Sequence, residues 1–422
     1  MIFVWVNSET FIKPGRINVP YHMTRMYELV DYLENKKIDT KVLDMEIGSS
    51  QFIDLMNEVI NGKRKIIVYY ATCENYDNVI KYSNIVKEIN NNIIQVIYGE
   101  IPSISKELLK SSKINYLISR NTDPEISLFD LNKFINRRIK EKEIRGLIKI
   151  TNNKLIELKK GEYIDPNEWG FPKETYYDYE MAKKVGRSDQ VTISVTKGCP
   201  FNCMFCLATA QEGLTYRKRP INKIIEFINS SNHDKIKFFS AFFTFDKDYV
   251  KELCYAIINN DKKIKWSCCT RADYLQDEEL IKLMAEAGCY KISVGVESLS
   301  NKNLKDINKR TNRDLIIKSI KLVKKYHIEY KALIMLGIPN QTREELYETI
   351  DELTKLKVNI RPTAYTPLFN INEKTKLCDI SKYDKWTYYD DNSLITKREL
   401  YILVNDISKY KILGDNYNEN CD

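Results

Sequence analysis

Three closely spaced cysteines constrain this chain more than any other feature of its sequence. Cys199, Cys203 and Cys206 have the spacing C-x3-C-x2-C and directly follow the alternating apolar stretch Val191–Val195, which predicts a strand. Cysteines this close together in a loop are typical of a metal site. A zinc site would need a fourth Cys or His in tetrahedral geometry, and the next candidate, His233, is far along the chain. Three thiolates therefore leave one position open for another ligand.

An iron–sulfur cluster suits such a ligand set, because cysteine thiolates hold clusters and an iron without a thiolate can accept another ligand. With the aromatic Phe205 directly before its last cysteine, the stretch resembles the cluster motif of the radical SAM superfamily. In that superfamily the fourth iron binds the amino and carboxylate groups of S-adenosylmethionine (SAM). The resemblance implies a four-iron, four-sulfur cluster on Cys199, Cys203 and Cys206, below called the cluster cysteines, which are the candidate catalytic and metal-ligating residues. The alternative is three core cysteines, although core cysteines seldom cluster in a loop.

The size and composition of the chain indicate a globular protein of two or three domains. It has 422 residues, of which 43% are hydrophobic. No apolar run is long enough to cross a bilayer, and the opening MIFVWV is a strand-sized run rather than a signal peptide. Ten cysteines fit a reducing compartment, so we expect a cytoplasmic protein without a membrane partner. The net charge of +8 is dispersed along the chain, which favours a solvated surface over a nucleic-acid-binding face.

The first 140 residues alternate short apolar stretches with helical patterns, such as the one at Tyr21–Asn35. The strands are predicted near Ile2–Val6, Thr40–Leu43, Ile66–Tyr70, Ile93–Ile97 and Ile114–Ile118. This alternation predicts a doubly wound, Rossmann-like α/β domain. Its layout resembles the cobalamin-binding domain that precedes the barrel in one class of radical SAM enzymes. The resemblance implies cobalamin as a third cofactor.

The N-terminal segment departs from the pattern of the cobalamin class at two points. The Gly-Gly turn of that class is reduced here to Tyr98–Gly99–Glu100, and the Asp-x-His-x-x-Gly motif that supplies a histidine to cobalt is absent. His22 follows the first strand and could approach a ligand at the strand ends, although a surface or capping role is commoner for a histidine. Two alternatives stay open: cobalamin bound without a histidine ligand, or a relic domain that only shapes the active site.

The remaining chain predicts a second α/β domain and a short extension. Ile144–Leu158 predicts a β-hairpin that turns at Asn152–Asn153, and Gly161–Asp178 predicts a linker. Six strand–helix units follow, which predict a partial (β/α)6 radical SAM barrel with its chemistry at the carboxyl ends of the strands. Their strands are expected near Val191–Val195, Ile236–Ser240, Ile264–Cys269, Lys291–Gly295, Glu329–Met335 and Val358–Ala364. A helix near Lys397–Lys409 belongs to the C-terminal α extension, which is expected to pack over the barrel mouth.

Four domain segments follow from these patterns. We expect a cobalamin-binding-like Rossmann domain over residues 1–140, the hairpin and linker over 141–190, the partial barrel over 191–370 and a C-terminal cap over 371–422.

Segments at the predicted strand ends supply the other candidate site residues. The resemblance implies that Glu297 and Ser298, in the segment GVES, contact the ribose and methionine parts of SAM, and that Gly337 and Pro339, in the segment GIP, line the adenine pocket. It also makes Arg271 a candidate for neutralising a carboxylate. Phe205 completes the cofactor-binding set through its place in the cluster motif.

Several of these residues have structural alternatives. Ser298 or Ser300 could serve as a helix N-cap, and Arg271 could pair with Asp273 or Glu297. Gly337 could be only a turn residue, a role that is compatible with lining a pocket.

Two further segments add to the expected layout of the barrel. Thr342 with Glu345 three residues later predicts a capping box at a helix start. At the end of the second barrel strand, Ser240 and Ala241 stand where many radical SAM proteins have acidic residues.

The resemblance implies an enzyme that cleaves SAM with a four-iron, four-sulfur cluster and abstracts hydrogen from an unactivated carbon. The leading function is cobalamin-dependent C-methylation of a peptide or protein side chain or of a small-molecule natural product, with an electron donor such as flavodoxin or ferredoxin. One alternative is a radical mutase or cyclase with a relic cobalamin domain. A tRNA-modifying methylthiotransferase would need three cysteines in the N-terminal domain, where only Cys73 occurs. A non-catalytic iron–sulfur protein would need neither the GVES nor the GIP segment.

Overall fold

The computed structural model divides the chain into two units. It describes residues 1–6, 21–45, 50–63, 65–106, 112–151, 154–176, 190–372, 374–390 and 393–410. The first unit comprises Met1–Pro200, Leu207–Pro220 and Phe369–Ser381, and the second comprises Phe201–Cys206, Ile221–Leu368 and Lys382–Asp422. Both contain parallel strands connected through helices, so the predicted α/β class is confirmed. The four segment boundaries given above stay predictions.

A seven-stranded sheet forms the centre of the described part of the first unit, with the order β2-β1-β3-β4-β5-β6-β7. The strands are β1 (Ile2–Trp5), β2 (Lys41–Asp44), β3 (Ile66–Ala71), β4 (Ile94–Gly99), β5 (Tyr116–Ile118), β6 (Leu147–Thr151) and β7 (Lys154–Glu157). The pairings among β1 to β5 are parallel, whereas β6 and β7 are antiparallel to their neighbours. The chain thus winds outward from β1 in both directions, as the doubly wound prediction requires.

Helices cover this sheet, and the one predicted at Tyr21–Asn35 has those bounds. The described helices of the first unit are Tyr21–Asn35, Ser50–Asn61, Tyr76–Ile89, Glu100–Ile104, Pro124–Ile135, Ala208–Glu212 and the short Leu377–Ile380. Apolar side chains at helical spacing, such as Met26, Val30 and Leu33, are fully buried with Phe3 and Val68 from the strands. This burial of one helical stripe against the sheet accounts for the core of the first unit.

The predicted hairpin is present at the edge of the same sheet. β6 pairs with β7 from Ile148↔Glu157 to Thr151↔Lys154, and the predicted turn at Asn152–Asn153 lies outside the described residues. The first unit also contains the strand β8 (Val191–Ser194), predicted at Val191–Val195, and a two-stranded antiparallel pair formed by β9 (Thr196–Lys197) and β10 (Arg217–Lys218). This pair flanks the segment that begins the cysteine motif.

Five parallel strands in the order β15-β14-β13-β12-β11 form the sheet of the second unit within the described residues. The strands are β11 (Lys235–Phe239), β12 (Lys265–Arg271), β13 (Cys289–Glu297), β14 (Glu329–Leu336) and β15 (Asn359–Ala364). The helices are Ile221–Ser230, Lys247–Ile258, Glu278–Glu286, Asn301–Asp306, Arg313–Lys325, Arg343–Lys355 and Lys397–Asn405. In this part of the chain β11 and β15 do not pair with each other, so the sheet is open, as expected of a partial barrel.

Alternating burial along these strands defines two faces of the second sheet. In β14, Tyr330, Ala332, Ile334 and Leu336 are buried, and the residues between them are exposed or half-buried. The carboxyl ends of parallel strands meet at one edge of a sheet, and this edge brings the last residues of β12, β13 and β14 together. Of the described helices, none is long and apolar enough to cross a membrane.

The predicted C-terminal helix is present in the second unit. It runs over Lys397–Asn405, and a 3-10 turn at Ile407–Lys409 continues it to the predicted end. Arg343 Nε donates to Glu399 Oε1 at 2.8 Å, so a largely buried ion pair holds this helix to its unit.

Candidate functional site

Cys203 and Cys206 lie in a tight turn of the second unit. The Cys206 N–H donates to the Cys203 carbonyl oxygen at 3.1 Å, and the Met204 N–H donates to the Ile307 carbonyl oxygen at 3.3 Å. Both cysteines are half-buried. The second hydrogen bond fixes the cysteine turn on the segment that follows the helix Asn301–Asp306, at the edge where β13 ends.

Cys199 belongs to the first unit and is 7% exposed. Its N–H donates to the Gly213 carbonyl oxygen at 3.1 Å, and the Gly198 N–H donates to Glu212 Oε2 at 2.7 Å. Gly198 has φ +86°, and a Cβ on it would lie 2.0 Å from the Thr215 carbonyl oxygen. The residue before the first cluster cysteine must therefore be glycine.

The cluster cysteines have the donor chemistry that an iron–sulfur cluster requires, since each offers a thiol that can ligate iron as the thiolate. Within the part of the chain that the structure describes, no three His, Cys, Asp or Glu side chains are grouped closely enough to hold a metal ion. Their role as one ligand set stays a prediction from spacing and chemistry.

Arg271 lies at the end of β12 and faces the cysteine turn. Its Nη1 is 3.8 Å from Cys203 Sγ, and its guanidinium carbon lies 4.2 Å from the centre of the Phe201 ring. Its Nε and Nη2 donate to the two carboxylate oxygens of Asp273, each at 3.0 Å, and Nη2 also donates to the Lys309 carbonyl oxygen at 2.6 Å. The pairing with Asp273 is the structural alternative that the sequence offered. The contact with Cys203 adds a guanidinium that can donate to a thiolate.

Glu297 ends β13 in a backbone conformation that is rare for a residue with a side chain, with φ +63°. The pairing of β13 with β14 shifts register between Gly295 and Glu297, and this irregularity changes the direction of the Glu297 side chain. Glu297 Oε1 accepts a hydrogen bond from Lys309 Nζ at 2.7 Å, and both side chains are 7% exposed. Lys309 Nζ also lies 5.5 Å from the centre of the Phe205 ring. Glu297 and Phe205 are therefore joined through Lys309.

The space beside Gly295 is filled by the same ion pair. A Cβ on Gly295 would stand 2.5 Å from Glu297 Oε1 and 2.6 Å from Lys309 Nζ. The glycine thus leaves room for two charged side chains of the protein at the strand end.

Ser298 is fully buried, and its hydroxyl is used within the protein. The Ser300 N–H donates to Ser298 Oγ at 3.0 Å, and Asn303 Nδ2 donates to the same oxygen at 3.3 Å. The N-cap of the helix Asn301–Asp306 is Ser300, whose side chain accepts from the Asn303 N–H. These contacts shape the strand end, and the contact of Ser298 with SAM stays a prediction.

The GIP segment forms a turn after β14. Gly337 has φ +74°, and its N–H donates to Gln341 Oε1 at 2.9 Å. A Cβ on Gly337 would lie 2.9 Å from Leu400 Cδ1, so the C-terminal helix lies against this turn. Pro339 continues the turn toward the predicted capping box, which is present at Thr342.

An apolar cluster connects the GIP segment to the cysteine turn. Ile338 is buried with Ile307 and Tyr365, and Phe205 and Met335 pack against them. Together with Lys309, this cluster brings Phe205, the GIP segment and Glu297 into one region of the second unit. Sequence reasoning missed Lys309 and Gln341, because neither belongs to a recognisable motif.

A cavity opens at the carboxyl ends of the strands of the first unit. It has about 540 Å³ of empty space, including the part that is open to solvent. Tyr70 from β3, Tyr98 and Gly99 from β4, and Ser119 after β5 line it, and Glu125 from the following helix faces the same space. In doubly wound folds, ligands bind at this edge of the sheet. His22, considered above as a cobalt ligand, has a side chain outside the described residues.

The reduced Tyr98–Gly99–Glu100 turn contributes to this cavity. Gly99 has φ +117°, and a Cβ on it would lie 2.8 Å from the Ala71 carbonyl oxygen of the neighbouring strand. One glycine therefore suffices for the close approach of the turn to β3. Among the residues with described side chains, Tyr98 Oη and Glu125 Oε2 are buried atoms of this cavity without a hydrogen-bond partner.

These features define a class of protein. Residues 193–353 match the radical SAM superfamily, so the chain carries a radical SAM domain over the cysteine motif and most of the second sheet. Domains of this superfamily use a four-iron, four-sulfur cluster and SAM, which agrees with the two cofactors that the motif implies. The prediction of an enzyme with a radical SAM domain is therefore confirmed.

Particular relatives narrow the class. An uncharacterized methyltransferase of Pyrococcus horikoshii is 24% identical over 331 residues, covering 76% of this chain and 71% of that protein. An anaerobic magnesium-protoporphyrin IX monomethyl ester cyclase of Cereibacter sphaeroides is 26% identical over 296 residues, covering 65% of this chain and 47% of that protein. The chain thus spans less than half the length of the cyclase.

Two solved structures share the fold over most of the chain. The cobalamin-dependent SAM radical enzyme OxsB, with aqua-cobalamin bound, has a TM-score of 0.71 at 17% identity and covers 97% of this chain and 56% of its own. The radical SAM methyltransferase TsrM of Kitasatospora setae, with cobalamin and a [4Fe-4S] cluster bound, has a TM-score of 0.69 at 16% identity and covers 87% and 74%. These matches show that the chain shares its fold with cobalamin-dependent radical SAM enzymes, which agrees with the predicted resemblance to the class with an N-terminal cobalamin-binding-like domain.

Proposed function

We propose that this chain is a cobalamin-dependent radical SAM methyltransferase that acts on a peptide or protein side chain or on a small-molecule natural product. The observation that carries the proposal is the cavity at the carboxyl ends of the first unit's strands, with its buried, unpartnered Tyr98 and Glu125 oxygens. A relic domain without a ligand would have no reason to retain buried polar atoms that lack hydrogen-bond partners. The cobalamin in OxsB and TsrM and the methyltransferase name of the archaeal relative support the same choice.

The residues present fit the cofactors of this proposal. The cluster cysteines would ligate the cluster, which together with SAM supplies a deoxyadenosyl radical, while cobalamin supplies the methyl group. Arg271 would donate to the Cys203 sulfur, since its Nη1 already lies 3.8 Å from that atom. Such a hydrogen bond stabilises negative charge on a thiolate.

The second unit would bind SAM at the edge where β13 and β14 end. Glu297 would accept from the ribose or the amino group of SAM through Oε2, because Oε1 is engaged by Lys309. The apolar side chains around Ile338 would exclude water from the region beside Phe205. An electron donor such as flavodoxin or ferredoxin would reduce the cluster.

Cobalamin would bind without a histidine ligand. The Asp-x-His-x-x-Gly motif is absent from the sequence, and tyrosines line the cavity. The absorption spectrum of bound cobalamin should then lack the signature of histidine ligation, and His22→Ala should not change it. A spectral change in His22→Ala would make His22 the ligand.

One experiment tests the proposed reaction. Protein purified anaerobically is assayed for iron, sulfide and corrinoid, and then given SAM, hydroxocobalamin and reductant. Methyl transfer through cobalamin uses two SAM molecules per turnover, one giving S-adenosylhomocysteine and the other deoxyadenosine. We expect corrinoid-dependent S-adenosylhomocysteine. Deoxyadenosine without S-adenosylhomocysteine, from protein that binds no corrinoid, would instead support a radical mutase or cyclase, the alternative that the cyclase relative favours.

A further inference from the structure

Tyr98 and Glu125 each bring a buried polar atom to the cavity of the first unit. Tyr98 is 5% exposed and Glu125 is 2% exposed, and both line the cavity. Among the residues with described side chains, the Tyr98 hydroxyl and Glu125 Oε2 are buried without a hydrogen-bond partner. Buried polar atoms are almost always paired, so these two indicate a ligand that supplies their partners.

The two atoms offer complementary hydrogen-bonding chemistry. Burial, together with the negative charge of Glu125, raises the pKa of Tyr98 well above its ordinary value, although Arg25 opposes this. The phenol therefore stays protonated and is a donor. Glu125 pairs through Oε1 with Lys197 Nζ at 3.2 Å, and both side chains are almost fully buried. Its Oε2 is left as an acceptor.

A primary carboxamide matches this pair of atoms. Its oxygen accepts one hydrogen bond, and its nitrogen donates two. A carboxylate or phosphate has no N–H to donate to Glu125 Oε2 and would leave this acceptor unpaired. Corrinoids carry several primary carboxamides around the ring.

We infer that Tyr98 and Glu125 form a clamp for a primary carboxamide at the edge of the corrinoid, in which the Tyr98 hydroxyl donates to the carboxamide oxygen and Glu125 Oε2 accepts from its nitrogen. This inference rests on the proposed cobalamin dependence and adds the side chains that recognise the ring. Lys197 is the positioning residue of the clamp, because its ion pair holds the Glu125 carboxylate.

The clamp is also connected to the cysteine motif within the first unit. Lys197 ends β9, two residues before Cys199, and its Nζ lies 4.7 Å from the centre of the Trp169 ring. The residue that orients Glu125 thus lies on the strand that leads into the first cluster cysteine.

The test measures the binding of hydroxocobalamin to the full-length chain by absorbance titration under anaerobic conditions. We expect Tyr98→Phe and Glu125→Gln each to raise the Kd at least tenfold. Tyr69→Phe is the matched control, because the Tyr69 hydroxyl donates to Gln95 Oε1 at 2.8 Å and does not line the cavity. Tyr69→Phe should leave the Kd unchanged.

Thermal unfolding of the protein without corrinoid separates the clamp from a structural role. Tyr98→Phe removes a hydroxyl that has no partner, so its Tm should equal or exceed that of the wild type. Tyr69→Phe breaks a buried hydrogen bond and should lower the Tm. A lower Tm together with an unchanged Kd for Tyr98→Phe would assign Tyr98 to the core and overturn the clamp.

A second ligand tests which atom recognises which group. Heptamethyl cobyrinate keeps the carbonyl oxygens of the ring side chains but has methyl esters in place of every carboxamide, so it has no N–H to donate. The ratio of its Kd to that of hydroxocobalamin should fall at least fivefold in Glu125→Gln and stay unchanged in Tyr98→Phe. Equal ratios in all three proteins would overturn the assignment of Glu125.

Wild-type protein that binds no hydroxocobalamin would overturn the proposed function as well, whereas tight binding unaffected by either variant would overturn the clamp alone.

Discussion

Removing Glu297 should affect the stability of the second unit and its binding of SAM by separate routes. The Glu297–Lys309 pair has an Oε1 to Nζ distance of 2.7 Å, and both side chains are 7% exposed. Glu297→Ala would leave the Lys309 ammonium buried without its partner. Breaking a buried ion pair in this way costs about 3–5 kcal/mol, whereas replacing both partners by apolar groups is often close to neutral.

The double variant Glu297→Leu/Lys309→Met separates the two effects. It removes both charges, so most of the stability lost in Glu297→Ala should return. Affinity for SAM should stay low, since a hydrogen bond from a ligand to a charged group contributes about 1.5–3 kcal/mol, which corresponds to roughly a ten- to hundredfold change in Kd. The exposed pair Arg313–Glu352 provides the control, and Glu352→Ala should cost about 1 kcal/mol or less.

The assay combines denaturant unfolding of the apoprotein with equilibrium dialysis of SAM against protein whose cluster has been reconstituted. The cluster spectrum of each variant checks that the cysteine turn is intact. If Glu297→Ala unfolds with the wild-type free energy, the buried pair does not carry the energy assigned to it. If the double variant binds SAM as tightly as the wild type, Glu297 is a structural residue and the predicted contact with SAM is wrong.

Three further outcomes are expected. Replacing the three cluster cysteines by Ala should abolish the visible absorption of the cluster and the cleavage of SAM, and a triple variant that retains four irons would contradict the assignment. Gly295→Ala should weaken SAM binding and lower the Tm, because its Cβ would stand 2.5 Å from Glu297 Oε1, and an unchanged Tm would show that the ion pair can move aside. Lys331→Met should stabilise the protein at pH 7 by about 1 kcal/mol after allowance for solvent screening, because burial, followed by the nearby charge of Arg361, lowers the pKa of Lys331 to about 8. The folded protein loses this proton at a lower pH than the unfolded chain does. The destabilisation of the folded protein by Lys331 is therefore full below pH 8 and is relieved as the pH rises from about 8 toward 10.5. A stability gain of Lys331→Met that does not change with pH in denaturant unfolding would contradict this reasoning.

The sequence identified most strands, because apolar alternation reports burial directly. It was less accurate where a strand continues beyond its apolar run. β13 was predicted as Lys291–Gly295 and runs over Cys289–Glu297. The last residue of β13, Glu297, has a positive φ and a buried carboxylate. Its burial depends on the ion pair with Lys309 and not on hydrophobicity. Local patterns contain no information about such a partner.

Sequence motifs are local, so they indicate the candidate site residues, whereas the hydrogen-bond partners of those residues come from distant parts of the chain. The sequence indicates Arg271 through its segment and also offers its pairing with the nearby Asp273 as an alternative. Its hydrogen bond to the Lys309 carbonyl oxygen spans 38 residues and was not foreseen. The Tyr98 and Glu125 atoms of the cavity also could not be found from sequence, since they are distinguished by burial without a partner.

Basic residues beside the cysteine motif are buried, which the composition of the chain does not reveal. Dispersed lysines and arginines suggested a solvated surface, yet Lys197, Arg217 and Arg219, which flank the cysteine motif, are at most 9% exposed. Arg217 Nη1 pairs with Asp123 at 2.5 Å, and Arg219 donates to the carbonyl oxygens of Ser194, Trp169 and Gly170 at 2.7–2.9 Å. Each of these contacts lies within the first unit. A buried cation is tolerated only where its partners are already in position, so these residues impose one arrangement on the chain on either side of the motif. The charges around the cysteines therefore position the motif, and a count of basic residues could not have separated that role from solubility.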